Sequence, residues 1–249
     1  MLTIERHNFI LELLSLKSNI SNQEFLEKLD ISESTLRRDL NILEKQSKIK
    51  RVHGGAMLVE SKKRVVLEDD DILSRSNISF EEKDKIAKTA ANFVKDGSSI
   101  YLDAGTTTFQ MIKYLKEKKI KVVTNGLSLI QELEKYNLES YLLGGKIKSK
   151  TSCTVGYLAV ESLNNYRFDS VFLGANAFDL KGYSTPDPEE ACVKNAAVKL
   201  GEFVYFLCDS SKIKKNSFIN FAKLNSGTLI IDKAPPKEYF NLAKIEVTK

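Results

Sequence analysis

The stretch ESTLRRDL, Glu33 to Leu40, sets two adjacent arginines between leucines, just behind a Ser and a Thr. Leu36, Leu40 and Leu43 recur at i, i+4 and i+7, the spacing of one helix face. At about 100° per residue, Ser34, Arg38, Asn41 and Lys45 fall on the opposite face, with Arg37 and Thr35 on its flanks. An arginine pair on such a helix is most simply a solvated face, so the neighbouring sequence has to decide.

Upstream, residues 3–16 read as a helix with Ile4, Leu11 and Leu14 on one side, and Asn19-Ile20-Ser21 reads as a turn. Ser21-Asn22-Gln23-Glu24 has the form of a capping box, in which the Ser hydroxyl caps the Glu24 N–H and the Glu side chain reaches back. A short helix with Phe25, Leu26 and Leu29 inward follows, then a turn at Asp30-Ile31. Ser32 is a good N-cap for a third helix running to about Lys45. Downstream, KIKRVHGGAML (Lys48–Leu58) predicts a small hairpin or wing. Helix, short helix, tight turn, helix, hairpin is the order of a winged helix-turn-helix, whose third helix enters the DNA major groove. Charge distribution agrees. Residues 34–53 hold the cations Arg37, Arg38, Lys45, Lys48, Lys50 and Arg51 against Asp39 and Glu44, a footprint suited to phosphate.

At 249 residues the chain has room for two domains, and 42% hydrophobic residues suffice for cores. No apolar run of membrane-spanning length and no signal-peptide core occur, which predicts a cytoplasmic protein. Cys153, Cys192 and Cys208 are far apart and form no CxxC pair, so they read as reduced, buried thiols rather than metal ligands. Residues 59–80, with SKKR and EDDD, read as a charged, irregular linker between a DNA-binding domain (1–58) and a second domain (81–249).

In the second domain a helix over 81–94 precedes apolar runs that alternate with helical spacing. Strands are expected at 99–103, 121–125, 140–144, 169–174, 203–209, 227–232 and 244–247, hence an α/β domain with a mostly parallel sheet. Ligands of such sheets bind at the carboxyl ends of strands. There the chain places Asp103-Ala104-Gly105-Thr106-Thr107-Thr108, whose free N–H groups and hydroxyls suit a phosphate cradle; the alternative is that Thr106 or Thr107 simply caps the helix that follows. Asn125-Gly126, Gly145-Lys146 and Asp209-Ser210-Ser211-Lys212 follow later strands, Lys212 offering a point charge. Asp187, Glu189 and Glu190 are acceptors for sugar hydroxyls. P-loop, GxGxxG and GxSxG motifs and metal-ligand clusters are missing, and neither His7 nor His53 suggests catalysis. No cofactor and no metal are expected.

ISESTLRRDLNILEKQSKIKRVHGGA (Ile31–Ala56), followed in order by DAGTTT, VVTNG, LLGGK, FLGAN and DSSK, resembles the DeoR family of transcriptional regulators over nearly the full length. The resemblance implies a sensor domain similar to ribose-phosphate isomerase and glucosamine-phosphate deaminase. It also implies release from double-stranded operator DNA by a phosphorylated sugar, and a homo-oligomer, dimer or tetramer. GYSTPDPEEACVKNAA (Gly182–Ala197) resembles the fructose-operon repressors of that family, which implies fructose 1-phosphate as effector. Ser47, Tyr157 and Ala177 depart from the family pattern.

The expected DNA-binding residues are Ser32, Ser34, Thr35, Arg37, Arg38, Asn41, Lys50, Arg51, His53 and Gly54. Those expected around the effector are Asp103, Gly105, Thr106, Thr107, Thr108, Asn125, Gly126, Gly145, Lys146, Glu189, Glu190 and Lys212. The rival reading is a sugar-phosphate isomerase or deaminase fused to a DNA-binding domain, with Asp103, Glu189 or Glu190 as base. The chain offers no acid/base set beyond these three, which favours a repressor over an enzyme.

Overall fold

The structure, a computed structural model, describes residues 3–17, 19–46, 48–58, 66–69 and 72–249. Ser47 and residues 59–65 and 70–71 of the expected linker therefore lie outside the described residues. The chain divides into two compact units, Met1–Arg64 and Val65–Lys249.

The first unit runs α1 (Thr3–Leu16), β1 (Asn19–Ser21), α2 (Asn22–Leu29), α3 (Glu33–Lys45), β2 (Ile49–Val52) and β3 (Gly55–Leu58). Ile10, Leu14, Ile20, Phe25, Leu36, Leu40, Leu43 and Ile49 form its core. On α1 the core therefore takes Ile10, Leu13 and Leu14, while Leu11 is only partly buried and the side chain of Ile4 lies outside the described residues. Asn19–Ser21, expected to turn, is instead a strand: the three strands form an antiparallel sheet in the order β1-β3-β2, with Ile20 opposite Ala56. A three-residue strand is too short to leave a period in sequence. Gly55 is what lets β3 pass β1 so closely, because a Cβ there would stand 2.2 Å from the Ile20 carbonyl oxygen. Half of the capping box forms. Ser21 accepts from the Glu24 N–H at 3.2 Å, but the Glu24 carboxylate turns to Lys17 at 2.7 Å.

The second unit contains α4 (Ile72–Asn77), α5 (Phe80–Ala91), β4 (Ser99–Leu102), α6 (Thr106–Met111), β5 (Lys121–Thr124), α7 (Ile130–Lys135) and β6 (Glu139–Leu142). Then come β7 (Lys146–Lys148), β8 (Cys153–Val155), α8 (Tyr157–Leu163), β9 (Phe168–Gly174), β10 (Ala177–Asp179), β11 (Gly182–Thr185) and α9 (Pro188–Leu200). The chain ends with β12 (Gly201–Leu207), β13 (Ile219–Ala222), β14 (Thr228–Ile231), α10 (Lys237–Phe240) and β15 (Lys244–Val247). Seven strands, each lying on one of the seven apolar runs, make one sheet in the order β15-β14-β12-β9-β4-β5-β6, with every neighbouring pair parallel.

Both faces of this sheet are covered. Ile100 and Leu102 of β4 join Ile86, Ala90 and Met111 on one side, while Tyr101 joins Ala159, Leu163 and Val193 on the other. Two small antiparallel pieces, β7-β8 and β10-β11-β13, were not expected. Nor was α4, which is helical inside the stretch read as an irregular linker. From β4 the chain builds outward through β5 to β6, then returns to place β9 on the other side of β4. The sheet thus has its topological switch point between β4 and β9, where ligands of open α/β sheets bind.

Candidate nucleic-acid interface and ligand site

α3 is fastened by one face only. Leu36, Leu40 and Leu43 are at most 1% exposed, whereas Ser34, Arg37, Arg38, Asn41 and Lys45 are exposed. Ser32 caps the helix by accepting from the Thr35 N–H at 3.3 Å, and its hydroxyl lies 3.0 Å from that of Ser34 and 2.9 Å from that of Thr35. The wing is tied to the same face: the Arg51 guanidinium donates to the Asn41 side-chain oxygen at 2.5 Å, and the Arg51 N–H to Glu44 at 2.9 Å. Lys50, His53 and Gly54 are exposed, with Gly54 taking φ +82° in the hairpin turn.

Sequence reasoning missed the polar contact that ties α3 to α1. Asp39, beside Arg38, is buried and receives Arg6 Nε at 2.5 Å and Nη2 at 3.1 Å, with His7 Nε2 3.0 Å away. Burial alone would raise the Asp39 pKa, but the hydrogen bonds from Arg6 and His7 outweigh it and hold the carboxyl below its ordinary value.

At the switch point of the second unit, Asp103 follows β4 and Gly174 ends β9. The Gly174 N–H donates to Asp103 Oδ2 at 3.1 Å, and the Lys194 ammonium from α9 pairs with the same oxygen. Asp103 is 1% exposed; burial pushes its pKa up and Lys194 opposes the rise. Gly105 and the first turn of α6 follow directly. Thr108 turns its hydroxyl inward, to the Asp103 carbonyl at 2.6 Å, whereas Thr106 and Thr107 have no side-chain hydrogen bond among the described residues. Asn125 braces the loop: its oxygen accepts from the Tyr101 hydroxyl at 2.9 Å and the Ala104 N–H at 3.1 Å, and its amide donates to the Thr154 carbonyl at 3.0 Å. Gly126 packs directly under Ala104, whose Cα would lie 3.1 Å from an added Cβ.

Next to this floor lies an ionic network. Asp187 caps α9 by accepting from the Glu190 N–H at 2.9 Å, which aims Glu190 inward. Glu190 accepts from Lys148 at 2.9 Å and from the Thr151 hydroxyl at 2.6 Å; Lys148 also meets Asp69 at 2.5 Å and Asp187 at 3.1 Å. Burial opposes both charges, yet the charge of Lys194 and the hydrogen bonds from Thr151 and Lys148 hold Glu190 below its ordinary pKa, and the hydrogen bonds to Asp69 and Glu190 hold Lys148 above its own. Glu189 and Lys146 pair farther out, at 2.9 Å, and Gly145 packs against Val155 and Ala159. Each of the three carboxylates that could be nominated as a catalytic base therefore already holds a lysine.

After β12, Lys212 lies 3.7 Å from Asp209, and buried Lys83 of α5 donates to the Arg75 carbonyl at 2.5 Å. Burial, then repulsion from Lys212, pushes Lys83 down to about 8; burial likewise lowers Lys212, which Asp209 only partly offsets. Of these residues, sequence pointed to Asp103, Glu190 and Lys212 but not to Lys83, Lys148 or Lys194. The three cysteines are free, and Cys192 is exposed rather than buried. Tyr157 starts α8 with 76% exposure, and Ala177 is buried at the start of β10. Among the described residues no helix is long and apolar enough to cross a membrane.

Residues 6–62 match the family model described as a DeoR-like helix-turn-helix domain, and residues 78–233 match the DeoR C terminal sensor domain. The chain is 39% identical over 251 residues to the uncharacterized HTH-type transcriptional regulator FruR of Bacillus subtilis, covering 100% of this chain and 98% of that protein. It is 32% identical to the HTH-type transcriptional repressor GlcR of the same organism, over 95% of this chain and 90% of that one. It is 30% identical to the glycerol-3-phosphate regulon repressor of Escherichia coli, over 93% and 91% of the two chains. Among solved structures, a ribose 5-phosphate isomerase A from Methanocaldococcus jannaschii aligns with TM-score 0.40 and 20% identity over 53% of this chain and 54% of that one.

Proposed function

The chain belongs to the DeoR family of transcriptional regulators, and from that premise we propose that it represses a fructose-utilisation operon and leaves its operator when fructose 1-phosphate binds the second unit. In this reading α3 enters the major groove. Arg37 and Arg38 contact phosphate or guanine, Ser34 and Thr35 contact backbone or base edges, and Lys50, Arg51 and His53 anchor the wing. Ser32, Asn41 and Gly54 shape that surface. The protein acts as a homo-oligomer, dimer or tetramer, and residues 59–80 carry the signal between domains.

The observation that carries the effector reading is a pair of lysines, Lys83 and Lys212, that share the single carboxylate Asp209. Lys83 and Lys212 are both held below the ordinary lysine value by burial, and Asp209 acts on both. An anion placed between them relieves that cost, and Thr106 and Thr107 offer hydroxyls to the same ligand. The segment that resembles fructose-operon repressors supplies Asp187, Glu189, Glu190 and Lys194 to this region, which favours fructose 1-phosphate over other sugar phosphates.

The test is a gel shift on DNA upstream of the neighbouring operon, titrated with sugar phosphates. Fructose 1-phosphate should release DNA at the lowest concentration. Thr107→Ala and Lys212→Ala should hold DNA as before and respond weakly to the sugar phosphate. Normal release from both variants would remove this loop from the effector site. Raising salt from 50 to 200 mM should weaken operator binding by about 10³-fold or more, through counterion release.

A further inference from the structure

A cavity of about 310 Å³ in the second unit lies against the Gly105 loop, on the side of α4. Ile72 of α4, Phe80 at the start of α5 and Phe109 of α6 form apolar walls, and Thr106, Gln110 and Ser128 add polar groups. None of its lining residues is charged. Gln110 is 7% exposed, and neither its side-chain oxygen nor the Ser128 hydroxyl has a hydrogen-bond partner among the described residues. Buried polar groups are almost always paired, so two unpaired ones in one cavity point to a donor that arrives from outside.

We propose that this cavity seats the uncharged, carbohydrate end of the effector, and that Gln110 and Ser128 determine which sugar is accepted. The inference rests on the sugar-phosphate reading above and extends it. A sugar ring has the matching chemistry: its C–H face packs on Phe80, Phe109 and Ile72, and its hydroxyls reach Gln110 Oε1 and exchange hydrogen bonds with Ser128 and Thr106. A phosphate does not match, because the walls offer it no cation. A wholly apolar ligand does not match either, because it would leave both polar groups unpaired. The volume stands at the lower end for small-molecule sites, in keeping with a single ring. Since Ile72 belongs to α4, a sugar seated here touches the first described helix of the unit. Occupancy is thereby coupled to the segment nearest the DNA-binding unit in sequence.

Isothermal titration of the full chain with fructose 1-phosphate, and separately with inorganic phosphate, tests the assignment. Gln110→Leu should weaken the sugar phosphate about tenfold and Ser128→Ala by a smaller factor, while inorganic phosphate and operator affinity stay unchanged. Gln110→Met, closer in shape, repeats the test where Gln110→Leu fails to fold. Lys212→Ala should weaken both probes. Wild-type affinity for fructose 1-phosphate in both the Gln110 and Ser128 variants overturns the proposal, as does equal weakening of the two probes. Should the unmodified protein bind no phosphorylated sugar at all, the effector reading itself falls, and that is seen before any variant is made.

Discussion

Arg38 and Asp39 are neighbours on α3, the first exposed and the second buried, so replacing each with alanine should separate DNA affinity from stability. Arg38 is exposed, and removing an exposed side chain changes stability by about 0.5 kcal/mol or less. The loss should appear in binding instead: a phosphate or guanine contact is worth about 1–3 kcal/mol, or roughly five- to 150-fold in affinity. Asp39→Ala has the opposite signature. The carboxylate is 2% exposed and faces both Arg6 and His7, whose side chains are 13% and 14% exposed. Breaking a buried pair costs about 3–5 kcal/mol, and the residual solvent access of Arg6 brings this below that range, to about 2–3 kcal/mol. In a unit this small each kcal/mol lowers Tm by about 4–8 °C, so the first transition in a calorimetric scan of the full chain should fall by about 10–20 °C. At temperatures where Asp39→Ala remains folded, operator affinity should be near normal. Arg38→Ala binding DNA within a factor of two of the unaltered protein would take α3 out of the groove. An unshifted first transition for Asp39→Ala would mean that the Arg6–Asp39–His7 contact does not hold the helix.

Lys83, pushed down to about 8, keeps its charge below that pH and loses it above, whereas in the unfolded chain a lysine titrates near 10.4; the stability penalty should therefore be complete below about pH 8 and fade toward about pH 10.4. Anion affinity runs the other way, so the effector concentration for half-release should rise between pH 7 and 9, and Lys83→Met should flatten that rise. Gly55→Val would drive a side chain toward the Ile20 carbonyl, 2.2 Å from an ideal Cβ, and should abolish operator binding by unfolding the wing, as circular dichroism and a gel shift on the same sample would show. Asp69→Asn cuts the link to Lys148 and should leave effector binding within about threefold while reducing its effect on DNA affinity by about fivefold or more; unchanged coupling would remove Asp69 from the signal route.

The central sheet strands could be read in sequence because both sheet faces are buried there, which turns each into a short apolar run such as Ile100-Tyr101-Leu102; the edge strand β6 has all four residues exposed and was legible only through its apolar Tyr141-Leu142-Leu143 run. β7, Lys146–Lys148, sets a single isoleucine between two lysines, so hydropathy carries no trace of it, and α4 sits in a charged stretch whose composition resembles a linker. The same limit governs the site. Loops at strand ends announce themselves by glycine and hydroxyl residues, which is how Asp103 and Lys212 were found. Lys194 meets Asp103 across 91 residues and Lys148 meets Asp69 across 79, and nothing local marks either. Glu190 and Lys194, four apart on α9, even look like an ordinary surface pair, yet they are 7% and 4% exposed. Burying those charges is costly, and a well-packed apolar replacement is often no less stable. A fold that keeps them at its switch point therefore gains little stability by doing so. On the effector reading proposed above, their value lies in what the charges can exchange for a ligand, and Asp69, in the segment that leads toward the DNA-binding unit in sequence, is where such an exchange would leave the site.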